Sequence, residues 1–303
     1  MQHISVSARK MRTLFLIGLT ALLLALGVAA TAPANAHAAT ASNGAKIYTL
    51  KAGKTYKSYD ITGDKKADRI KIVPIKQYDG YFTGMKITVN GKTAYTNKKI
   101  VCYLGTTEMK LIKLKNGKAY LHLFTFSGNP ADENTLLAYK SGKLTTAIDC
   151  TKALGKKFGW DGTYGAVAKA SGNTLTMTYS TSSYMFGPIE ATYKYTYKGG
   201  KLQQASTGTF SIPAKQKSFK ALKNIPVYKN TACKAKKFTI KTGQKVKFTN
   251  IYVKGNTVRV KVNVGGKTGW IKCATGYESS LLYKYYDPQI NDYRYEAPFE
   301  NLG

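Results

Sequence analysis

Lys110-Leu111-Ile112-Lys113-Leu114-Lys115-Asn116-Gly117-Lys118-Ala119-Tyr120-Leu121-His122-Leu123-Phe124-Thr125-Phe126 reads as two apolar arms around an Asn-Gly pair. Asn-Gly tolerates positive φ and suits the tight turns that join antiparallel strands. The arms are too short and too rich in β-branched and aromatic residues for an amphipathic helix, so the stretch predicts a β-hairpin. The same grammar recurs outward along the chain. Asn90-Gly91 separates Met85–Val89 from Thr93–Tyr95, and Ser141-Gly142 follows Leu136–Tyr139. Gly172-Asn173 precedes Thr174–Tyr179, Gly199-Gly200 follows Ala191–Tyr197, and Gly255-Asn256 precedes Thr257–Val264. Evenly spaced hairpins without a 3.6-residue period mean an all-β chain, with Lys152–Phe158 as the one candidate for a short helix.

Residues 45–212 divide into three loosely similar units, Lys46–Thr96, Thr107–Asp149 and Tyr164–Ser206. The second and third end alike, in Tyr139-Lys140-Ser141-Gly142-Lys143-Leu144 and Tyr197-Lys198-Gly199-Gly200-Lys201-Leu202. A period of this size suits β-meander blades, and a full propeller needs at least about four, so a partial set is expected. Composition then shifts. From Ala191 to Tyr277 there is no Asp or Glu against nineteen Lys and Arg, and acids return from Glu278 onward. The tail is expected either to fold back on this basic stretch or to form a loose polar end.

The N-terminus has the form of an export signal. Arg9, Lys10 and Arg12 precede an uncharged apolar run, Leu14 to Ala30, and Ala34-Asn35-Ala36 offers a small-x-small cleavage pattern. Cleavage leaves about 265 residues with no later apolar stretch long enough to span a bilayer. The formal charge of +32 falls only to about +29, because the signal removes three basic residues and no acids. Such a field attracts polyanions without fine selection, and outside a bacterial cell these are teichoic acids, peptidoglycan carboxylates and anionic headgroups. Nucleic acid is not an expected partner of an exported chain. Four cysteines in an oxidising compartment suggest disulfides, and sequence proximity suggests Cys102–Cys150 and Cys233–Cys273.

Asp60-Ile61-Thr62-Gly63-Asp64-Lys65-Lys66-Ala67-Asp68 places oxygen-bearing side chains at 60, 62, 64 and 68, with the Lys66 carbonyl able to fill the gap. Hard oxygen ligands from one loop are what calcium takes, so Asp60, Thr62, Asp64, Lys66 and Asp68 are the candidate metal ligands. A hydrogen-bonded turn without metal is the alternative. The loop resembles that of the VCBS or FG-GAP-type repeat family, which joins two strands of a propeller-like blade and often binds calcium there. The match covers Asp60, Gly63, Asp64 and Asp68, while Lys65 stands where that family places Gly.

A second resemblance lies further on. Ile225-Pro226-Val227-Tyr228, the Ile240–Phe248 segment with Gly243, and Thr257–Val264 followed by Gly266-Lys267-Thr268-Gly269-Trp270-Ile271 are similar to the bacterial SH3-type domain family. The resemblance implies a small β-barrel that binds peptidoglycan peptides or other wall components. The expected organisation is a signal peptide over 1–36, a VCBS-like β-meander of partial propeller-like blades over 45–212, a small SH3-like barrel over 213–275 and a tail over 276–303.

In such a barrel Tyr228, Tyr252 and Trp270 offer ligand-facing aromatic surfaces and Lys234, Lys236 and Lys237 offer charge. The competing expectation is that Trp270 and Tyr228 fill the core, favoured for Trp270 because Trp is highly buried on average. Tyr193, Tyr195 and Tyr197 alternate with polar residues, as in a strand with one covered face. Catalysis is not expected. His122 sits inside a strand pattern, no nucleophile motif appears, and Glu108 with Asp132-Glu133 is a conceivable carboxylate pair. The chain is therefore expected to be a secreted, monomeric, non-catalytic protein that associates with the cell wall or its anionic polymers. A host- or competitor-facing adhesin or effector, and a glycan-active enzyme, are the alternatives.

Overall fold

The structure, a computed structural model, describes residues 39–103, 107–125, 133–154, 159–183, 185, 187–204, 207–212, 218–255, 257–273, 283–287, 289 and 292–301; the side chains of 159–162, 182, 283–287, 292–296 and 301 are not described. The expected signal peptide, Asp132 and twelve of the 28 residues of the tail lie outside these residues. The described chain is all-β apart from one short 3-10 turn, Cys150–Lys152. No helix among the described residues is long and apolar enough to cross a membrane.

Three short strands come first: β1 (Thr40–Ser42), β2 (Lys46–Leu50) and β3 (Thr55–Tyr59). Each joins a different sheet. β3 edges a four-stranded meander with β4 (Asp68–Gln77), β5 (Tyr81–Val89) and β6 (Lys92–Tyr103). β2 pairs antiparallel with β7 (Glu108–Lys113), which continues through β8 (Ala119–Thr125), β9 (Glu133–Lys140) and β10 (Lys143–Asp149). β1 runs parallel to β11 (Gly159–Ser171), whose meander continues through β12 (Thr174–Ser183), β13 (Gly187–Lys198) and β14 (Lys201–Gln204). Twenty residues of chain thus tie three sheets together. The three expected units are three separate meanders.

The turns follow their residues. Asn90-Gly91, Ser141-Gly142 and Gly199-Gly200 all take positive φ at both central positions, the backbone of a primed turn. Asn116 does not: its side-chain carbonyl accepts from Lys118 N at 3.1 Å, and its own N–H donates to Asn173 Oδ1 at 3.0 Å. The turn of one meander is thereby docked on the turn of the next.

The middle sheet is covered on both faces. Met109, Leu111, Leu121, Leu123 and Leu137 pack with Ile70, Ile72, Phe82, Met85 and Ile87 of the first sheet. Ile112, Leu114, Tyr120 and Leu136 belong to a second core with Val167, Leu175, Met177 and Tyr179. Adjacent residues such as Leu111-Ile112 and Leu136-Leu137 are both buried because each points into a different core, the pattern of a sheet with no solvent face.

The chain then runs through β15 (Thr209–Ser211), β16 (Phe219–Ala221), β17 (Ile225–Tyr228), β18 (Lys236–Ile240), β19 (Lys245–Lys254), β20 (Thr257–Val264) and β21 (Lys267–Lys272). β22 (Tyr283–Asp287) pairs only with β23 (Asp292–Glu296) among the described strands, and β24 (Phe299–Asn301) returns to pair with β16. The expected small barrel is corrected here. The order β19-β20-β21-β17-β18 is an open path, and β15 bridges β13 to β19, so one thirteen-stranded sheet crosses residue 212. One core cluster likewise reaches from Ala45 to Phe299, and His37–Gly303 is one compact unit. The Ile240–Phe248 segment holds the end of β18 and the start of β19, parted by a turn at Gly243 with φ +85°. The tail folds back: Phe299 is buried and Glu300 pairs with Lys220 at 3.3 Å.

The disulfides are also corrected. Cys102, Cys150, Cys233 and Cys273 are all buried and reduced. Cys102 lies in the core between the first and middle sheets and Cys150 in the core beyond the middle sheet, so a packed layer separates them. Burial, reinforced by Asp149, pushes the Cys150 thiol up to about 12. Burial also raises Cys233 and Cys273, with the Arg259 guanidinium partly offsetting it at both. Thiolate is the reactive form. The native protein at pH 8 should therefore react slowly with a thiol reagent, and all four thiols should titrate in guanidinium chloride without reductant. Fewer than four would contradict the reduced state.

Candidate binding surface

The residues singled out in the basic segment meet on one face of a sheet, and strand register puts them there. In β20, Val258, Val260 and Val262 are buried in the core while Arg259 and Lys261 point the other way. In β21, Gly269 and Ile271 are buried and Trp270 and Lys272 take the outer side. Residues directly opposite across antiparallel strands share a face. Tyr228 lies opposite Lys236 and opposite Trp270, Trp270 opposite Lys261, and Lys261 opposite Asn250. The next row runs Lys272, Arg259, Tyr252, Thr209. The first row thus sets two aromatic rings between two lysines, and the second sets a lysine and an arginine beside a tyrosine.

The rings touch within this face. Tyr252 and Trp270 meet edge to face with centroids 6.2 Å apart, and Lys272 Nζ lies 5.6 Å from the centre of the Tyr228 ring. All three aromatics are half-buried, which leaves part of each ring accessible. The expectation that Trp270 fills the core is therefore corrected: Ile271 and Gly269 take the inward positions, and strand parity turns Trp270 outward. Gly269 is required for another reason. A Cβ there would stand 2.5 Å from Val227 Cγ1 and 2.8 Å from the Tyr228 carbonyl, so glycine lets β21 approach β17 and brings Trp270 beside Tyr228.

Of the three predicted lysines, Lys236 sits at the end of the first row. Lys237 donates to the Thr268 carbonyl at 2.8 Å, and Lys234 is exposed on the preceding turn. The sequence reading missed Arg259, Lys261 and Lys272. Their alternation with Val258, Val260 and Val262 around the Gly265-Gly266 turn was the available signal. Eleven lysines between 220 and 272 are exposed in all.

The Asp60–Asp68 loop organises itself. Asp68 Oδ2 accepts from the N–H groups of Ile61 and Thr62 at 2.8 and 2.9 Å, and Asn90 Nδ2 donates to Asp68 Oδ1 at 2.6 Å. Asp60 accepts from Gly63 N at 2.6 Å and Lys65 N at 3.1 Å, with Lys113 Nζ 3.5 Å from its second oxygen. Asp64 accepts from Lys66 N at 2.8 Å. Lys65 holds φ +70°, the left-handed turn for which glycine is better suited. The carboxylates at 60 and 68 already take this chain's own donors, and an ammonium supplies the countercharge. That donor set is the one of a hydrogen-bonded turn. Among the described residues no three His, Cys, Asp or Glu converge as metal ligands.

A third polar group is internal. Glu108 pairs with Lys110 at 2.8 Å, and Glu108 Oε1 is 3.8 Å from His122 Nδ1, too long for a hydrogen bond. The Asn134 amide, with its nitrogen turned toward His122 Nε2 at 3.3 Å, also spans the backbone N–H and carbonyl of Gly165. The chain of contacts ties the middle sheet to β11. Burial pushes the Glu108 carboxyl up, but His122 and Lys110 outweigh it and hold it at about 2. Glu133 faces the opposite side of the same sheet, where Tyr95 Oη and Asn97 Nδ2 donate to it at 2.8 and 3.0 Å. Glu108 and Glu133 therefore do not share a cleft, and the conceivable carboxylate pair is corrected for those two residues.

Comparison with protein-family models, with curated proteins and with solved structures finds no match for this chain.

Proposed function

We propose that this protein is an exported, non-catalytic binder of anionic cell-wall polymers, held at the wall by the basic part of its sheet. The observation that carries the reading is the acid-free run from Ala191 to Tyr277, with fourteen of its lysines exposed on strands and turns among the described residues. Rigid display matters, because charges fixed on a sheet give up less freedom on binding than charges on a loose tail. Lysine suits the task, since an ammonium donates to a phosphate or carboxylate oxygen approaching from many directions. The Glu300–Lys220 pair is exposed and engages one lysine of the field.

Retention on purified walls tests the proposal. Mature protein should sediment with walls at low salt, release as salt rises, and bind poorly once the teichoic acid is extracted. Retention indifferent to salt and to extraction would favour a defined protein or glycan partner, as an adhesin would have.

A further inference from the structure

The two rows on the outer face of β17 and β19–β21 hold more than charge. A polyanion without rings needs only cations, and a neutral glycan needs only aromatic faces. Here each aromatic has a cation one strand away: Lys236 beside Tyr228, Lys261 beside Trp270, and Arg259 beside Tyr252. Neighbouring strands stand about 4.8 Å apart, so each ring has a cation within about the length of a sugar and the phosphate joined to it.

The geometry points to a polymer that carries sugar rings along a phosphodiester chain as the ligand of this face, an inference that rests on the anionic-polymer reading above. The apolar C–H face of a pyranose lies against the accessible part of Trp270 and of Tyr252, and the edge-to-face contact at 6.2 Å sets these two rings at 75° to each other, making a corner rather than a flat plate. Lys261 and Lys236 flank the aromatic pair Tyr228–Trp270 within the first row and meet the phosphates on either side. Lys272 lies over the Tyr228 ring and fixes its orientation. Arg259 is already engaged, donating from Nη1 to the Val258 carbonyl at 2.8 Å and interacting with Cys233, so it acts as a fixed positive background to Tyr252.

The test is titration of the full mature chain with four soluble probes of matched length at one salt concentration. They are poly(glycerol phosphate) bearing hexose substituents, the same polymer without them, inorganic polyphosphate, and a single-stranded oligonucleotide. The hexose-bearing polymer should bind about tenfold more tightly than the bare one, the effect of one stacked ring. Trp270→Ala and Tyr252→Ala should each remove most of that preference and leave polyphosphate binding unchanged. Trp270→Phe should keep part of it, with thermal unfolding confirming that each variant folds. Equal affinity for the bare and substituted polymers, a preference that survives Trp270→Ala, or tighter binding of the oligonucleotide would each overturn the inference. The first two results would leave the anionic-polymer reading standing. Failure to bind any of the four would overturn both.

Discussion

Replacing Glu108 with Ala is expected to lower the unfolding free energy by about 3–5 kcal/mol, because it strands the Lys110 ammonium in a buried place. Lys110 is 8 % exposed and pairs with Glu108 at 2.8 Å between two packed sheets. In a unit of this size the loss amounts to a fall in Tm of roughly 6–15 °C. The double replacement Glu108→Leu with Lys110→Met should recover most of the stability, since removing both charges removes the desolvation along with the attraction. The pair also sets the acid limit. The Glu108 carboxyl sits at about 2 in the folded chain, below its ordinary value of 4.5. A carboxylate depressed in this way stabilises the fold above pH 4.5, and that stabilisation fades as pH falls from 4.5 toward 2. The Tm gap between the native chain and Glu108→Gln should therefore be widest above pH 5 and close toward pH 2. A gap that stays constant over this range would contradict the assignment.

The second large effect is expected at Gly269. An added methyl there meets Val227 Cγ1 at 2.5 Å and the Tyr228 carbonyl at 2.8 Å, and a backbone atom cannot rotate away as a side-chain end can. Gly269→Ala should destabilise by about 1–3 kcal/mol, and Gly269→Val by more. It should also part β21 from β17, so Trp270 loses its place beside Tyr228 and the rows on the outer face are broken. Equilibrium unfolding in guanidinium chloride measures the first consequence, and affinity for the hexose-bearing polymer measures the second. Unchanged stability would mean that the two strands do not approach as closely as 269 requires.

Local chemistry was legible in the sequence, and layering was not. Asn90-Gly91 and Gly199-Gly200 announced their turns because primed-turn backbone selects those residues. The repeated Tyr139–Leu144 and Tyr197–Leu202 endings announced matching hairpins, and both are found, at β9–β10 and β13–β14. Nothing local says that Leu111 and Ile112 face two different cores. That depends on a sheet packed against each side, and it also decides where Cys102 and Cys150 lie. The N-terminal strands escaped notice for a related reason. β1, β2 and β3 are three to five residues long, and their identity as edges comes from distant partners at 169–171, 109–113 and 68–71.

The binding face was half legible. Composition showed a long cationic run, and aromatic residues marked Tyr228, Tyr252 and Trp270. Residue-type preference pulled Trp270 toward the core, whereas parity with buried Ile271 turned it outward. Lys261 and Lys272 went unnoticed because Lys261 meets Trp270 only after β20 pairs with β21, and Lys272 meets Tyr228 only after β17 pairs with β21. The loop at Asp60–Asp68 was the reverse case. Its oxygen spacing suggested a cation, and its own N–H groups and Lys113 occupy the carboxylates.

The most direct measurement of the central claim is the affinity of the mature chain for soluble poly(glycerol phosphate) over a series of salt concentrations. Several lysines engaging phosphates at once should give a log–log slope of about −4 or steeper, at roughly 0.7–0.9 per phosphate neutralised. A slope near zero, or no binding at low salt, would contradict the claim that the displayed lysines hold this protein on a polyanion.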